Sequence, residues 1–199
     1  MRYLILFGLL IALSPGAASA RRVWYVNPEG TGDAPTIQAA IDSATAGDYV
    51  SLGIGEYTWT SQAATGESMI HLKPGVDVGP WDIGGIVLDA EGRGRVLICD
   101  EPGDVRINGV ILQNGRVTGE DARGAGVLAI GGCRLSLEAE VFDNVAEASR
   151  TAEGGGVYMQ GGTIHRGVYR GNVGRGETAS GGGIFCIDTG VEPHVFLDG

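Results

Sequence analysis

Apolar and polar residues alternate in short runs along most of this chain, and one stretch departs from that period of two. Val23-Trp24-Tyr25-Val26, Tyr49-Val50-Ser51-Leu52, Met69-Ile70-His71-Leu72, Ile86-Val87-Leu88, Arg95-Val96-Leu97-Ile98 and the longer Val105 to Gln113 each read as a strand. The exception is Ile37, Ala40, Ile41 and Ala44, whose i, i+3, i+4, i+7 spacing predicts a short helix. Thr36 is placed to cap its start, and Gly47 to end it in a left-handed conformation. No helical stripe follows, so successive strands are expected to coil directly onto one another. A single helix before a run of strands makes sense as a lid over the open end of such a stack.

Repetition supports the same picture. Gly124-Ala125-Gly126-Val127, Gly154-Gly155-Gly156-Val157 and Gly181-Gly182-Gly183-Ile184 return at intervals of 30 and 27 residues. Asn114, Asn144 and Asn172 precede them by 10, 10 and 9 positions, each with an apolar or aromatic residue three places earlier (Ile111, Val141, Tyr169). A period of this length marks a solenoid, in which each coil buries its apolar side only against its neighbours. The glycines are expected at the bend leading into an inward Val/Ile strand. The asparagines are expected to stack, each bonding to the rungs above and below. In that register Cys186 shares a column with Ala129 and Met159, which predicts a small core residue.

Two stretches resemble known families. Pro35-Thr36-Ile37-Gln38-Ala39-Ala40-Ile41-Asp42, followed by Gly47-Asp48-Tyr49-Val50 and Gly55-Glu56-Tyr57-Thr58, resembles the opening of right-handed parallel β-helix proteins of the pectin-lyase-like superfamily. The usual Pro-Gly before the Tyr-Thr is here Gly53-Ile54-Gly55. Leu88-Asp89-Ala90-Glu91-Gly92, Asp104 to Gly109 and Leu112-Gln113-Asn114-Gly115 resemble middle coils of the same group. The glycine clusters, with Tyr169-Arg170-Gly171-Asn172, are similar to repeats of polymorphic outer membrane proteins and related bacterial surface proteins. The resemblance implies an all-β, right-handed parallel β-helix (solenoid) with a short N-terminal capping helix. Its parts are the cap and first coil over residues 21–60 and further coils over 61–199.

Composition refines this in three ways. Glycine supplies 36 of 199 residues without a three-residue period, which fits many turns between short strands rather than a collagen. The net charge of −10 argues against a nucleic-acid partner. Residues 1–20, with Arg2, the apolar run Tyr3 to Leu13 and Ala18-Ser19-Ala20, read as a signal peptide, so the mature chain is expected outside the cell, at its outer surface or in the periplasm. No later segment is apolar for long enough to span a bilayer. Cys99, Cys133 and Cys186 match no zinc or redox spacing. A disulfide between two of them suits an oxidising compartment, and the spacing chooses no pair.

Reactive constellations are scarce. The pectin hydrolases that the chain resembles use N-T-D, D-D and G-H-G signatures, all absent here, and their R-I-K is Arg106-Ile107-Asn108 without the lysine. The lyases need acids on calcium and a basic residue; Asp100, Glu101, Asp104, Asp143 and Asp188 are candidates that no spacing forces together. His71, His165 and His194 read as outward polar positions. Trp24, Tyr57, Trp59 and Trp81 read as packing under the cap, with sugar stacking as the alternative. Catalytic and metal residues are therefore unassigned, and no cofactor is expected beyond the calcium alternative. The chain is expected to be a secreted or cell-surface, non-catalytic scaffold for adhesion or carbohydrate binding, its partner a polysaccharide or a host-surface ligand. The alternative is a polysaccharide lyase or glycoside hydrolase. That alternative requires three acids, or acids with an arginine or lysine, meeting in one groove. Val195-Phe196-Leu197 ends the sequence without a polar cap, so a continuation or a partner is expected to cover that end.

Overall fold

Short strands joined by glycine turns can satisfy their backbones only by stacking on the next coil, and the computed structural model shows that outcome. It describes residues 20–82, 84–187 and 194–195. The leader expected before Arg21, together with Asp188, Phe196 and Leu197, lies outside the described residues. β1 (Val23–Val26) opens the first coil and α1 (Ile37–Ser43) follows it. The second coil holds β2 (Tyr49–Leu52), β3 (Gly55–Thr58) and β4 (Ser68–His71), and the third β5 (Asp77–Pro80), β6 (Ile86–Asp89) and β7 (Arg95–Cys99). The fourth holds β8 (Gly103–Gln113), β9 (Arg116–Arg123) and β10 (Val127–Ala129). The fifth holds β11 (Cys133–Phe142), β12 (Val145–Glu153) and β13 (Val157–Met159). In the sixth the strands are shorter: β14 (Gly162–Ile164), β15 (Tyr169–Arg170), β16 (Val173–Arg175), β17 (Thr178–Ser180) and β18 (Ile184–Cys186). β19 (His194–Val195) pairs beyond β14.

All strand pairs among the described residues are parallel, and they form three sheets. The first runs β1-β2-β5-β8-β11-β14-β19, with β3, β6 and β15 beside the longer β8 and β11. The second runs β4-β7-β10-β13-β18, and the third joins β9, β12, β16 and β17. The core is a set of inward columns. Val50, Val78, Ile107, Leu137 and Ile164 stack in the first sheet, and Leu97, Val127, Val157 and Ile184 in the second. Cys99, Ala129, Met159 and Cys186 form the neighbouring column, so Cys186 takes its expected place, half-buried and packed against the core. Cys99 and Cys133 are the disulfide pair. Closing a loop of 34 residues in the unfolded chain is worth about 3–4 kcal/mol in the entropic account.

The cap works through specific side chains. Thr36 accepts from the Ala39 amide, and Ile37, Ala40 and Ile41 turn into the core. The helix ends differently from the sequence expectation: Ala44, in extended backbone, closes it. Gly47 is left-handed at φ +97°, but it serves the turn into β2, where its amide donates to the Gly75 carbonyl. β4 is the outer strand of the second sheet, and Gln38 of α1 covers its edge. The Gln38 side chain accepts from the His71 amide at 2.8 Å and donates to the His71 carbonyl at 3.3 Å, as a neighbouring strand would.

Asp48 ties cap to coil by accepting from the Thr45 amide and hydroxyl and from the Arg22 amide. These bonds, the Thr45 amide first, lower its pKa from 3.8 to about 2. A depressed carboxyl stabilises the fold above its unfolded pKa, and that contribution disappears as pH falls through the folded value. Titration from 3.8 down to about 2 should therefore loosen the cap. Tryptophan fluorescence of Trp24 and Trp59 is expected to report it, with the acid-dependent component absent in Asp48→Asn; an unchanged acid transition in that variant would refute the assignment.

The segment between each asparagine and its glycines is the feature the hydrophobic pattern did not reveal. β9, β12 and the β16–β17 pair are arms that leave the coil and return to it. Incoming and outgoing chains come together at the base: a Cβ on Gly115 would lie 2.1 Å from the Ala125 carbonyl oxygen, and one on Gly182 3.2 Å from that of Asn172. The arms have a small core of Ala122, Ala125 and Ala146. Ion pairs cross their rungs, Arg116–Glu147, Arg123–Glu153 and Arg150–Asp121. The third coil has no arm, and buried Arg95 fills the gap, donating to the Gly124 and Arg123 carbonyls at 2.8 and 3.0 Å.

The asparagine series needs one correction. Gln113 pairs with Phe142, which puts Asn114 level with Asp143 and Gly171, all three in left-handed backbone. The ladder position in that coil is Gly115, followed by Asn144 and Asn172. Asn144 is fully buried: its Oδ1 accepts from the Gly115 amide, and its Nδ2 reaches Leu112 O, Phe142 O and Asn172 Oδ1. Asn114 instead donates to Asp89.

Candidate functional cleft

A bulge in β8 bends the first sheet inward and opens a cleft across four successive rungs. The register between β8 and β11 slips between Glu138 and Ala139, leaving Gly109 as the extra residue at φ +67°. Glycine takes that conformation without strain, and a bulge of this type kinks its strand. The same bend recurs above and below, at Gly84-Gly85 and at Gly167, where a Cβ would fall 2.2 Å from the Ala139 carbonyl oxygen. The cleft has a volume of about 490 Å³. Four rungs at the usual strand spacing give a length of roughly 14 Å, which suits an extended oligomer better than one small ring.

Its chemistry comes from alternation on either side of the bend. Ala139 points inward and is buried, so Glu138 and Glu140 both face out into the cleft. Arg166 joins them from the next rung, and Val110 and Val168 supply apolar walls. A smaller depression of about 260 Å³ shares Glu138 and adds Arg106, Asn108, Ser136 and His165. His165 Nε2 lies 3.0 Å from Ser136 Oγ. Beneath the floor, the Tyr169 hydroxyl is buried without a hydrogen-bond partner among the described residues, and burial raises its pKa.

One large aromatic is exposed outside the cleft's lining. Trp81 follows Pro80, whose ring packs over Gly109, and it is 66% exposed with Tyr25 edge-on at 5.5 Å. This departs from the expectation of four packed aromatics. Tyr57 and Trp59 are buried and Trp24 half-buried, but the turn after β5 carries Trp81 outward.

Among the described residues the sequence-selected acids do not converge on a metal-binding group. Asp100 bonds His71 at 2.5 Å and Asp104 takes Arg134 through both oxygens at 2.7 Å, while Asp143 lies beside Gly171. Among the described residues no three His, Cys, Asp or Glu side chains form a group able to hold a metal ion. His71 faces outward as expected, and His194 lies in β19. A polar hollow between α1 and β4 is larger, about 650 Å³. Its Gln38, Gln62 and His71 already hold the cap in place. Glu138, Glu140 and Arg166 carry no signal in the sequence because each stands alone as a surface charge, the glutamates on β11 and Arg166 in the bend between β14 and β15. The Asn108-Gly109 turn inside a strand was the signal available.

The chain matches no protein-family model, no curated protein and no solved structure. No helix among the described residues is long and apolar enough to cross a membrane.

Proposed function

We propose that this chain is a secreted or cell-surface scaffold that binds an extended carbohydrate along the cleft of its first sheet. The observation that carries the reading is the glycine-floored bend itself, open over four rungs and lined by Glu138, Glu140 and Arg166. Carboxylates and a guanidinium offer acceptors and donors to hydroxyl groups without needing an enclosed pocket. The Cys99–Cys133 disulfide supports an oxidising compartment, as does the signal-like leader. A glycan microarray tests the reading with Val168→Arg, which plugs the cleft at a half-exposed position. Binding by the parent chain, reduced at least about tenfold in the variant, is expected; the loss of one close apolar contact and the insertion of a bulky charge justify that size. Equal binding by both would move the site elsewhere.

One observation favours a second reading. Glu138, Glu140 and Arg166 are acids with an arginine in one groove, the arrangement a hydrolase or lyase needs. One carboxyl could protonate a leaving oxygen while the other activates water, or the arginine could take a proton beside a uronate carboxylate. Incubation with polygalacturonate and calcium, followed by absorbance of unsaturated product and by new reducing ends, separates the two readings. Product that disappears in Glu138→Gln would make the chain an enzyme; no product leaves the binding reading in place.

A further inference from the structure

A serine and a histidine meet on the outer face of the first sheet. Ser136 pairs with Thr163 and Leu137 with Ile164, which sets Ser136 and His165 on neighbouring rungs, and His165 Nε2 lies 3.0 Å from Ser136 Oγ. The His165 amide donates to the Leu137 carbonyl at 2.8 Å, so its backbone is held in that register. Leu137 turns into the core, and alternation therefore directs Ser136 and Glu138 outward. With Arg106, Asn108 and His165 they line the depression of about 260 Å³ beside the cleft. Arg106 is the partner of Ser136 on the preceding rung, about 5 Å away at the usual strand spacing.

A hydroxyl within hydrogen-bond reach of an imidazole nitrogen is the arrangement that activates a serine nucleophile. The Arg106 guanidinium has five donors and no acceptor, so it can stabilise an oxyanion formed next to that hydroxyl. Glu138 lines both the depression and the larger cleft, which makes the two continuous. An acyl group carried to Ser136 would thus leave its alcohol portion lying in the cleft. We propose that Ser136 and His165 hydrolyse a short O-acyl ester, with Arg106 at the carbonyl oxygen. Resting on the carbohydrate reading of the cleft, the leaving group is a sugar hydroxyl. Ser136 Oγ bonds the acyl carbon as its proton passes to His165 Nε2. The tetrahedral species then breaks its bond to the sugar oxygen, which departs with the proton from Nε2. Water attacks the acyl-serine in the same manner, releasing the carboxylic acid and restoring the hydroxyl. The small volume of the depression favours acetyl over a long acyl chain.

Hydrolysis of p-nitrophenyl acetate, acetylated xylan and acetylated glucomannan tests this, alongside labelling of the full chain with a fluorophosphonate. Turnover of the aryl ester and of at least one polysaccharide is expected, and peptide mass should place the label on Ser136. Ser136→Ala and His165→Ala should each lower turnover at least about 100-fold, and the double variant no further, as groups acting as one unit do. The label on the native chain decides the nucleophile whether or not a variant folds. Turnover of the aryl ester alone would overturn the sugar-ester assignment and leave the nucleophile in place. A label on another residue, or unchanged turnover in folded Ser136→Ala, would overturn the nucleophile. Absence of both turnover and label would overturn the esterase proposal, while carbohydrate binding stands or falls separately on the glycan array.

Discussion

Asn144→Ala is expected to lower stability by about 3–4 kcal/mol, since it leaves the buried Gly115 amide without its partner and breaks the bonds to the Leu112 and Phe142 carbonyls and to Asn172. The orphaned amide alone costs roughly 1–3 kcal/mol, and the side chain has no exposed surface through which water could replace it. Asn114→Ala makes the informative comparison, because the sequence places both residues in one repeating series. Asn114 holds a left-handed backbone and a bond to Asp89, so its replacement should cost only about 1 kcal/mol. Urea denaturation followed by circular dichroism measures both. Equal losses would mean that the ladder is not what distinguishes Asn144.

The second large effect is expected from the smallest change. Gly155→Ala adds one methyl group where the nearest atoms are backbone: the Val173 carbonyl oxygen at 2.4 Å, its carbon at 2.5 Å and the Gly182 carbonyl oxygen at 2.6 Å. None of these can swing aside as a side chain would, so the arm must lift from the coil or the rungs must separate. About 4 kcal/mol is expected, which is at the upper end for a single substitution. Gly47→Ala provides the scale, because nothing lies within 4 Å of its added methyl and only the φ of +97° opposes it. About 1 kcal/mol should suffice there. If the two substitutions cost the same, close approach at the arm base is not the reason for the glycine cluster.

These two residues also show where sequence reading succeeds and stops. Val127, Val157 and Ile184 were legible as one inward column, because a glycine cluster fixes their register and alternation fixes their face. The capping helix was legible from four apolar residues and one threonine. The arms were not, since Arg116 to Arg123 and Val145 to Glu153 are polar strands whose inner faces are mostly alanine, leaving no hydrophobic period to detect. Asn114 misled for a different reason. A spacing of 30 and one of 29 both fit a solenoid whose coils vary in length, and only backbone pairing separates them. The cleft lies further still from sequence, because Glu138 and Arg166 meet through stacking of rungs, and the kink that makes them face a hollow rests on isolated glycines at Gly84-Gly85, Gly109 and Gly167.

The closed bases of the arms carry a consequence for how such a chain can change. Because the incoming and outgoing strands approach each other at Gly115–Ala125 and at Asn172–Gly182, the coil is already complete without the residues between them. Lengthening a loop whose ends are held together costs little, about 0.6 kcal/mol for each doubling. New sequence at the arm tips would therefore leave core, cleft and cap untouched, making each coil a socket for surface loops of independent character.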